Sequence, residues 1–264
     1  MVYFTTQKNI NNSKPIATID GTRTIIYIVD DDNNIDNDDE CGIERIRNKI
    51  KNRSKNIFRD IRLSNGSFIP YPSDREYYIS GPSGSGKSYL ASQIISQYIK
   101  LNKGNPFYIF SRVRDDRALD RLKPLRLKID ESLYEDPIDI EEFRDSVVLF
   151  DDIQTITNKK IATAVANIRD SILEVGRHFD TMIVSTTHNL TDNKNTKLLL
   201  LEASNVIIFP KYGDTFHIKR FLKEYVGLNK EKIDRILNTK DSRWVLVHKK
   251  APQYVMTQKE IYMI

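Results

Sequence analysis

The segment Gly81-Pro-Ser-Gly-Ser-Gly-Lys-Ser88 fits the phosphate-binding pattern G-x-x-x-x-G-K-[ST] at every fixed position. An apolar run, residues 77–80, precedes it, and a helix-like segment from Lys87 to about Leu101 follows it. A strand, a loop and a helix in this order are the context that such a loop requires. A Gly/Ser-rich turn that binds nothing would not need that context. We therefore predict an α/β fold built around residues 81–88, which we call the phosphate loop.

The residue types of the phosphate loop suit the binding of a polyphosphate. Its glycines let the backbone curl so that successive N–H groups point at the phosphates, and the positive end of the following helix adds to the attraction. Lys87 places a positive charge on the β- and γ-phosphates, and Ser88 offers its hydroxyl to Mg²⁺. The residues predicted to bind ATP are Gly81, Pro82, Ser83, Gly84, Ser85, Gly86, Lys87 and Ser88.

A second apolar segment, residues 146–150, ends in two carboxylates, Asp151 and Asp152. Open α/β sheets bind their ligands at the carboxyl ends of the strands, so this pair is expected at the same sheet edge as the phosphate loop. We predict that Asp151 holds Mg²⁺ together with Ser88, directly or through water, and that Asp152 orients and activates the attacking water. An acidic pair after a strand also occurs in simple turns, and the phosphate loop upstream favours the catalytic interpretation.

Three further candidates flank the next predicted strand, residues 181–185. Arg177 follows a helix-like segment, residues 159–175, and could reach the γ-phosphate of a neighbouring subunit. The alternative is an arginine that satisfies carbonyls at the end of that helix. His188 and Asn189 follow the strand, where polar side chains commonly sense the γ-phosphate, and a simple cap of the strand end is the alternative.

Composition excludes several other classes of protein. The 264 residues suffice for one large α/β domain with appendages, and we expect one core domain with a small N-terminal extension. A single cysteine, Cys41, excludes a disulfide framework and a cysteine-rich zinc site, and it suits a reducing compartment. The four histidines lack metal-ligand spacing, so we expect no transition metal. There is neither a run of eighteen apolar residues nor a signal-peptide pattern, so we expect a soluble intracellular protein without a membrane segment.

The charge of the chain is unevenly distributed. The net charge is +5, yet residues 30–40 carry seven acidic and no basic residues. The rest of the chain sets 41 basic against 29 acidic side chains, which is +12. An excess of this kind suits a polyanion such as nucleic acid, although basic proteins without such a partner are common.

The N-terminal quarter is predicted from pattern alone. Residues 16–19 and 24–29 flank an Asp20-Gly21 turn, which predicts a β-hairpin. Residues 30–40 are too acidic to pack, which predicts a solvated or disordered loop. Residues 43–62 carry eight bases and have isoleucines at helical spacing, which predicts a basic helix. Its basic face is either merely solvated or a contact with phosphates.

At the other end of the chain, residues 244–248 and 254–256 are apolar runs separated by a short polar segment that contains Pro252. This pattern predicts a C-terminal β-hairpin. We expect Trp244, at its start, to lie in the core.

Taken together, the phosphate loop, Phe150-Asp-Asp152, Gly176-Arg-His178 and the strand that ends at His188 resemble the viral genome-packaging ATPases of the HerA–FtsK superfamily, of poxvirus and giant-virus type. The likeness spans about residues 68–258. It leads us to divide the chain into an N-terminal extension, residues 1–67, and a P-loop ATPase domain, residues 68–264. The Gly-Arg-His element before the fourth core strand is its most specific part.

The resemblance implies a RecA-like core with a mostly parallel central sheet flanked by helices. It implies a ring of five or six subunits that threads double-stranded DNA into a capsid by Mg²⁺-dependent ATP hydrolysis, with capsid or portal proteins as partners. The location implied is the cytoplasm of an infected host cell, at the site of virus assembly, or the virion. Arg177 matches the arginine finger that acts in trans. His188 stands where the family usually has a glutamine that senses the γ-phosphate, and Asp152 where the wider superfamily often has glutamate.

Two other functions are open at the level of sequence. A small P-loop nucleoside or nucleotide kinase would need an arginine-rich lid, which the sequence does not clearly offer. A non-enzymatic assembly protein would bind ATP without hydrolysing it, and the intact Lys87, Ser88, Asp151 and Asp152 argue against that.

Overall fold

A computed structural model of the chain describes residues 2–8, 13–30, 58–192 and 196–264. The strands of the described residues are β1 (Val2–Thr5), β2 (Ser13–Ile19), β3 (Ile25–Asp30), β4 (Asp60–Arg62), β5 (Phe68–Pro70), β6 (Glu76–Ser80), β7 (Phe107–Ser111), β8 (Leu125–Arg126), β9 (Val147–Asp151), β10 (Met182–Thr187), β11 (Asn205–Ile208), β12 (Val245–His248), β13 (Tyr254–Thr257) and β14 (Glu260–Met263). The α-helices are α1 (Lys87–Leu101), α2 (Ser132–Glu135), α3 (Lys159–Val175), α4 (Lys197–Glu202), α5 (Thr215–Glu224) and α6 (Lys230–Leu237).

Ten of these strands form one sheet in the order β4-β14-β13-β12-β11-β6-β10-β9-β7-β8. The six strands from β11 to β8 pair in parallel, and β12, β13, β14 and β4 add an antiparallel side. The predicted α/β fold with a mostly parallel central sheet is therefore confirmed. Because β6, β10 and β9 are neighbours, their carboxyl ends bring the phosphate loop, His188 and the acidic pair to one sheet edge.

The central strands are buried on both faces, which is why they are near-continuous apolar runs. Along β9, Val147 and Leu149 join the apolar cluster that contains α1, whereas Val148 and Phe150 join the cluster that contains α3. The alternation follows the two-residue period of a strand. The sheet is thus the middle layer, and side chains from both of its faces form the core.

Helix α3 begins and ends where its sequence predicts. The Asn158 side chain accepts hydrogen bonds from Lys160 N and Ile161 N, which satisfies two donors of the first turn. Its buried residues recur at helical spacing and face the sheet, and the chain leaves the helix at Gly176. A side chain at Gly176 would place its Cβ 3.0 Å from the Ile172 side chain, so this exit is closely packed.

The N-terminal strands form a second sheet in the order β1-β3-β2-β5. The predicted hairpin is confirmed as β2 and β3, which pair antiparallel. Buried side chains of this sheet, among them Phe4, Ile16 and Phe68, belong to the same apolar cluster as α1. The N-terminal sheet thus covers the face of the core sheet that α1 covers.

The C-terminal hairpin is confirmed as β12 and β13, and Trp244 before it is buried, as predicted. The pattern missed a third strand, β14, and its partner β4. The prediction of a basic helix is wrong at its end, because Asp60–Arg62 is a strand in which Ile61 pairs with Ile261. Residues 31–57, which contain most of the acidic segment and the predicted helix as far as Ile57, lie outside the described residues.

None of the described helices is both long enough and apolar enough to cross a membrane. The division into an extension and an ATPase domain at residue 67 stays a prediction. The structure places β4 in the core sheet, and it places β5, from just beyond the predicted boundary, in the N-terminal sheet.

Candidate nucleotide-binding site

The phosphate loop connects β6 to α1 and needs glycine for two separate reasons. Gly84 and Gly86 have φ of 74° and 107°, a region that side chains rarely adopt. At Gly81 the reason is steric, because a Cβ there would lie 2.7 Å from the Phe209 ring and 2.8 Å from Ser85 Oγ. At these glycines, the surface of the loop that would face a ligand is therefore formed by backbone atoms.

The ammonium group of Lys87 lies inside the curve of the loop. Its Nζ donates to Gly81 O at 2.9 Å and lies 3.4 Å from His188 Nδ1 and 3.7 Å from Asp152 Oδ2. Burial lowers the pKa of Lys87, and the two nearby carboxylates oppose that shift. The cation is thus held between the loop and the acidic pair.

Asp151, the last residue of β9, is almost completely buried. One carboxylate oxygen accepts from Thr186 Oγ1 at 2.8 Å and the other from Ser111 Oγ at 3.0 Å. These hydroxyls come from the two neighbouring strands, β10 and β7. Burial raises the pKa of Asp151, more than these hydrogen bonds lower it. The carboxylate is rigidly placed and short of positive partners, as a residue that holds a cation should be.

Asp152 and His188 form the second pair at this edge. His188 Nε2 lies 3.0 Å from Asp152 Oδ2. Asp152 has φ of 46°, and its backbone N–H donates to Thr186 Oγ1 at 3.1 Å. This left-handed turn after β9 aims the side chain of Asp152 at Lys87 and His188, whereas that of Asp151 lies between the strands. The two adjacent carboxylates thus have different partners and can have different roles.

The residues present fit a magnesium nucleotide. The backbone cradle leaves Ser85 Oγ buried without a hydrogen-bond partner among the described residues. In the described part of the chain, no three His, Cys, Asp or Glu side chains cluster as metal ligands. Magnesium needs no such cluster, because it is commonly held by one or two carboxylates with phosphates and waters. Ser88, in the first turn of α1, and Asp151 are the residues that would hold it.

Arg177 does not join these residues within one chain. It lies in a 3₁₀ turn, Gly176–Phe179, at the start of β10. Strand β10 runs parallel to β6, with Ile183 beside Glu76 and Thr187 beside Ser80. Arg177 precedes the amino end of β10, whereas the phosphate loop follows the carboxyl end of β6. The two therefore lie at opposite ends of the strands. Its side chain is exposed and makes no hydrogen bond or ion pair with the residues that the structure describes.

Three residues at the site were missed at the level of sequence. Ser111 and Thr186 hold Asp151, and both are hydroxyls at the ends of predicted strands, which is a signal that could have found them. Arg243 donates to Ser85 O at 3.3 Å. It precedes β12, which is antiparallel to β11, and no local pattern indicates that this strand returns to the phosphate loop. The Asn189 backbone carbonyl accepts from the Tyr78 hydroxyl, which fits the alternative that Asn189 caps the end of the strand.

A curated relative of this chain is a virophage protein. The chain is 40% identical over 213 residues to the uncharacterised protein V3 of Sputnik virophage, a match that covers 79% of this chain and 84% of V3. No protein-family model matches the chain.

Two solved structures of viral packaging enzymes are similar to the chain. The DNA-packaging ATPase B204 of Sulfolobus turreted icosahedral virus has a TM-score of 0.50 at 15% identity, and the match covers 70% of this chain and 97% of B204. The genome-packaging NTPase B204 of Sulfolobus turreted icosahedral virus 2, in complex with ATP-gammaS, has a TM-score of 0.49 at 16% identity over 70% of this chain and 97% of that one. The likeness to the first confirms at the level of fold the predicted resemblance to packaging ATPases of the HerA–FtsK type.

Proposed function

Because the chain belongs to the same protein family as V3 of Sputnik virophage and has the fold of the DNA-packaging ATPase B204, we propose that it is a magnesium-dependent ATPase that moves double-stranded DNA into a viral capsid. The observation that carries the proposal is the convergence of Lys87, Asp152 and His188 beside the phosphate loop. A loop that merely turned the chain would not need a buried ammonium group beside a carboxylate.

In this proposal the backbone N–H groups of the phosphate loop bind the phosphates of ATP, and Lys87 exchanges Gly81 O for the β- and γ-phosphate oxygens. Ser88 and Asp151 would hold magnesium, which would neutralise negative charge on those oxygens. Asp152 accepts a hydrogen bond from the attacking water and directs it at the γ-phosphorus. His188 holds Asp152 in place through Nε2, and its Nδ1 accepts from Lys87, so it senses the γ-phosphate through the lysine that binds it.

Arg177 completes the site from a neighbouring subunit. Its position at the opposite sheet edge and its exposed side chain support an action in trans, since it lies remote from the phosphate loop of its own chain. An added guanidinium stabilises charge in the transition state of phosphoryl transfer. The assembly proposed is a ring of five or six subunits, with capsid or portal proteins as partners in the infected host cell or the virion.

A basic groove supports the proposed DNA substrate. It has a volume of about 720 Å³, and its lining includes Arg112, Arg114, Arg126 and Lys128. All four side chains are exposed, and those of Arg112 and Arg126 donate to backbone carbonyls. Contacts of these bases with phosphates carry no sequence information, so binding would be indifferent to sequence and would weaken steeply with salt.

The groove adjoins the proposed magnesium site. Ser111, which donates to Asp151, lines the groove as well. The Thr155 carbonyl accepts from Arg112, and the Thr155 hydroxyl donates to Asp152 O. A shift of the acidic pair on hydrolysis would therefore move the bases that contact DNA.

The deciding experiment measures steady-state ATP hydrolysis with and without long double-stranded DNA. Wild type, Lys87→Ala, Arg177→Ala and a mixture of the two variants are compared. We expect DNA to stimulate wild type, each variant to be inactive, and the mixture to regain activity, because a Lys87→Ala subunit still lends Arg177 to its neighbour. Full activity of Arg177→Ala, or no effect of DNA at any protein concentration, would overturn the proposal.

A further inference from the structure

An exposed tyrosine lies beside the phosphate loop on the side away from the acidic pair. At the end of β11, Phe209 O accepts from Tyr212 N at 3.0 Å and from Gly213 N at 2.8 Å, which closes a tight turn. The Phe209 ring packs against Gly81, so the turn begins beside the loop. Tyr212 is 49% exposed, so part of its ring is accessible to a ligand.

Arg243 joins this tyrosine to the loop. Its guanidinium donates to Ser85 O at 3.3 Å, and Cζ lies 5.6 Å from the centroid of the Tyr212 ring. Its own backbone N–H donates to Gln258 Oε1 at 2.8 Å, which anchors it to the loop after β13. One residue therefore contacts both the phosphate loop and one face of the aromatic ring.

The order of the strands says which end of a nucleotide meets this pair. The acidic pair and His188 follow β9 and β10, on one side of β6, whereas Tyr212 and Arg243 lie at β11 and β12, on the other side. A nucleoside triphosphate whose γ-phosphate lies near Asp152 therefore directs its base toward Tyr212. The accessible aromatic surface suits a planar π-system.

We propose that Tyr212 and Arg243 form the nucleobase subsite of this ATPase. The purine stacks on Tyr212, and Arg243 holds that ring against the phosphate loop. The inference rests on the proposed function only in requiring that the phosphate loop bind a nucleoside triphosphate. It assigns to this pair the binding energy that distinguishes ATP from a bare triphosphate.

The test compares equilibrium binding of ATP and of inorganic triphosphate to wild type and three variants. We expect Tyr212→Ala to weaken ATP binding on the order of tenfold and to leave triphosphate binding unchanged, because only the stacked base is lost. Tyr212→Phe should bind ATP as wild type does. Tyr89→Ala is the matched control, since Tyr89 is another exposed tyrosine, at 57%, in the first turn of α1.

Arg243→Ala is measured alongside, with thermal unfolding of each unliganded variant as the control for folding. We expect a loss of ATP affinity like that of Tyr212→Ala. The proposed subsite is wrong if Tyr212→Ala binds ATP as tightly as wild type does, or if it loses affinity for ATP and for triphosphate equally. It is also wrong if Tyr89→Ala shows the same selective loss of ATP affinity. A wild type that binds ATP but does not hydrolyse it overturns the ATPase and leaves the subsite standing, whereas a wild type that binds neither ligand overturns both.

Discussion

His188 Nε2 lies 3.0 Å from Asp152 Oδ2, and the other ring nitrogen of His188 lies 3.4 Å from Lys87 Nζ. One imidazole therefore bridges the proposed water-directing carboxylate and the lysine that binds phosphate. A side chain in this position can transmit the presence of a γ-phosphate to Asp152.

This bridge predicts how substitutions of His188 affect hydrolysis. We expect His188→Ala to lower kcat by roughly 100-fold, because Asp152 loses the group that positions it. ATP affinity should change little, since the backbone cradle and Lys87 remain. His188→Gln keeps a donor and an acceptor and should retain more activity than His188→Ala. Steady-state kinetics with a separate binding measurement checks this, and equal activity of the two variants would contradict a bridging role.

Asp151→Asn should separate stability from activity. Burial raises the pKa of Asp151, so the folded state disfavours its charged form at neutral pH. Removing that charge should stabilise the unliganded protein at pH 7, a stability–function trade-off. The gain should disappear as the pH falls toward 3.8, the ordinary pKa of the carboxyl, where wild type is protonated as well.

Hydrolysis by Asp151→Asn should fall by at least 100-fold if Asp151 holds magnesium. Urea unfolding at two pH values and ATPase assays over a range of magnesium concentrations measure both effects. A variant that hydrolyses ATP normally would remove Asp151 from the metal site.

Gly81→Ala should weaken nucleotide binding by a steric effect. The added methyl would lie 2.7 Å from the buried Phe209 ring and 2.8 Å from Ser85 Oγ, so the loop has to shift. We expect at least a tenfold loss of ATP affinity. Gly104→Ala is the control. Alanine is strained at the φ of 95° of Gly104, but its added methyl would have no neighbouring atom within 4 Å. It should cost about 1 kcal/mol of unfolding free energy and leave ATP binding intact.

The sequence predicted the elements that depend on residues close together in the chain. Helix α3 was predicted at Lys159–Val175 because its buried residues are periodic and a glycine follows it. The convergence of the phosphate loop, the acidic pair and His188 followed from strand order in parallel sheets. The hydroxyls of Ser111 and Thr186 complete that edge, and only the alignment of β7, β9 and β10 shows that both donate to Asp151.

Long-range pairing decided what local sequence could not. Ile61 has the helical spacing of the isoleucines before it, yet it pairs with Ile261, 200 positions later, and is in a strand. Tertiary context here outweighs a local periodic signal. Arg243 reaches the phosphate loop for the same reason, since an antiparallel strand at the far end of the chain brings it there.

A buried histidine predicts acid sensitivity of the fold. Burial lowers the pKa of His248 from 6.5 to about 4, and nearby Asp74 only partly opposes this. Its Nδ1 lies 3.0 Å from Asn205 Oδ1, and its ring stacks on Tyr254. Because the unfolded chain binds a proton more readily, stability is fully present above pH 6.5 and is lost as the pH falls toward 4, by on the order of 3 kcal/mol.

His248→Gln should flatten the pH dependence of stability between pH 6.5 and 4, because glutamine does not titrate and can still donate to Asn205. His178→Gln, on the exposed 3₁₀ turn, is the control and should keep the wild-type dependence. Urea unfolding across that pH range measures it. An unchanged slope in His248→Gln would assign the acid sensitivity to other groups.

The basic groove predicts a selective defect in DNA binding. Replacing both Arg114 and Lys128 by alanine removes two exposed bases of the groove and leaves Arg112 and Arg126, which donate to backbone carbonyls. We expect the slope of log affinity against log salt to fall by about 2, one for each lost phosphate contact. ATP hydrolysis without DNA should stay at the wild-type rate, and its stimulation by DNA should fall. The matched control replaces Lys219 and Lys223, two exposed lysines of α5, with the same change in net charge. If that control loses as much DNA affinity as the groove variant, general charge attracts DNA and the groove has no special part in binding it.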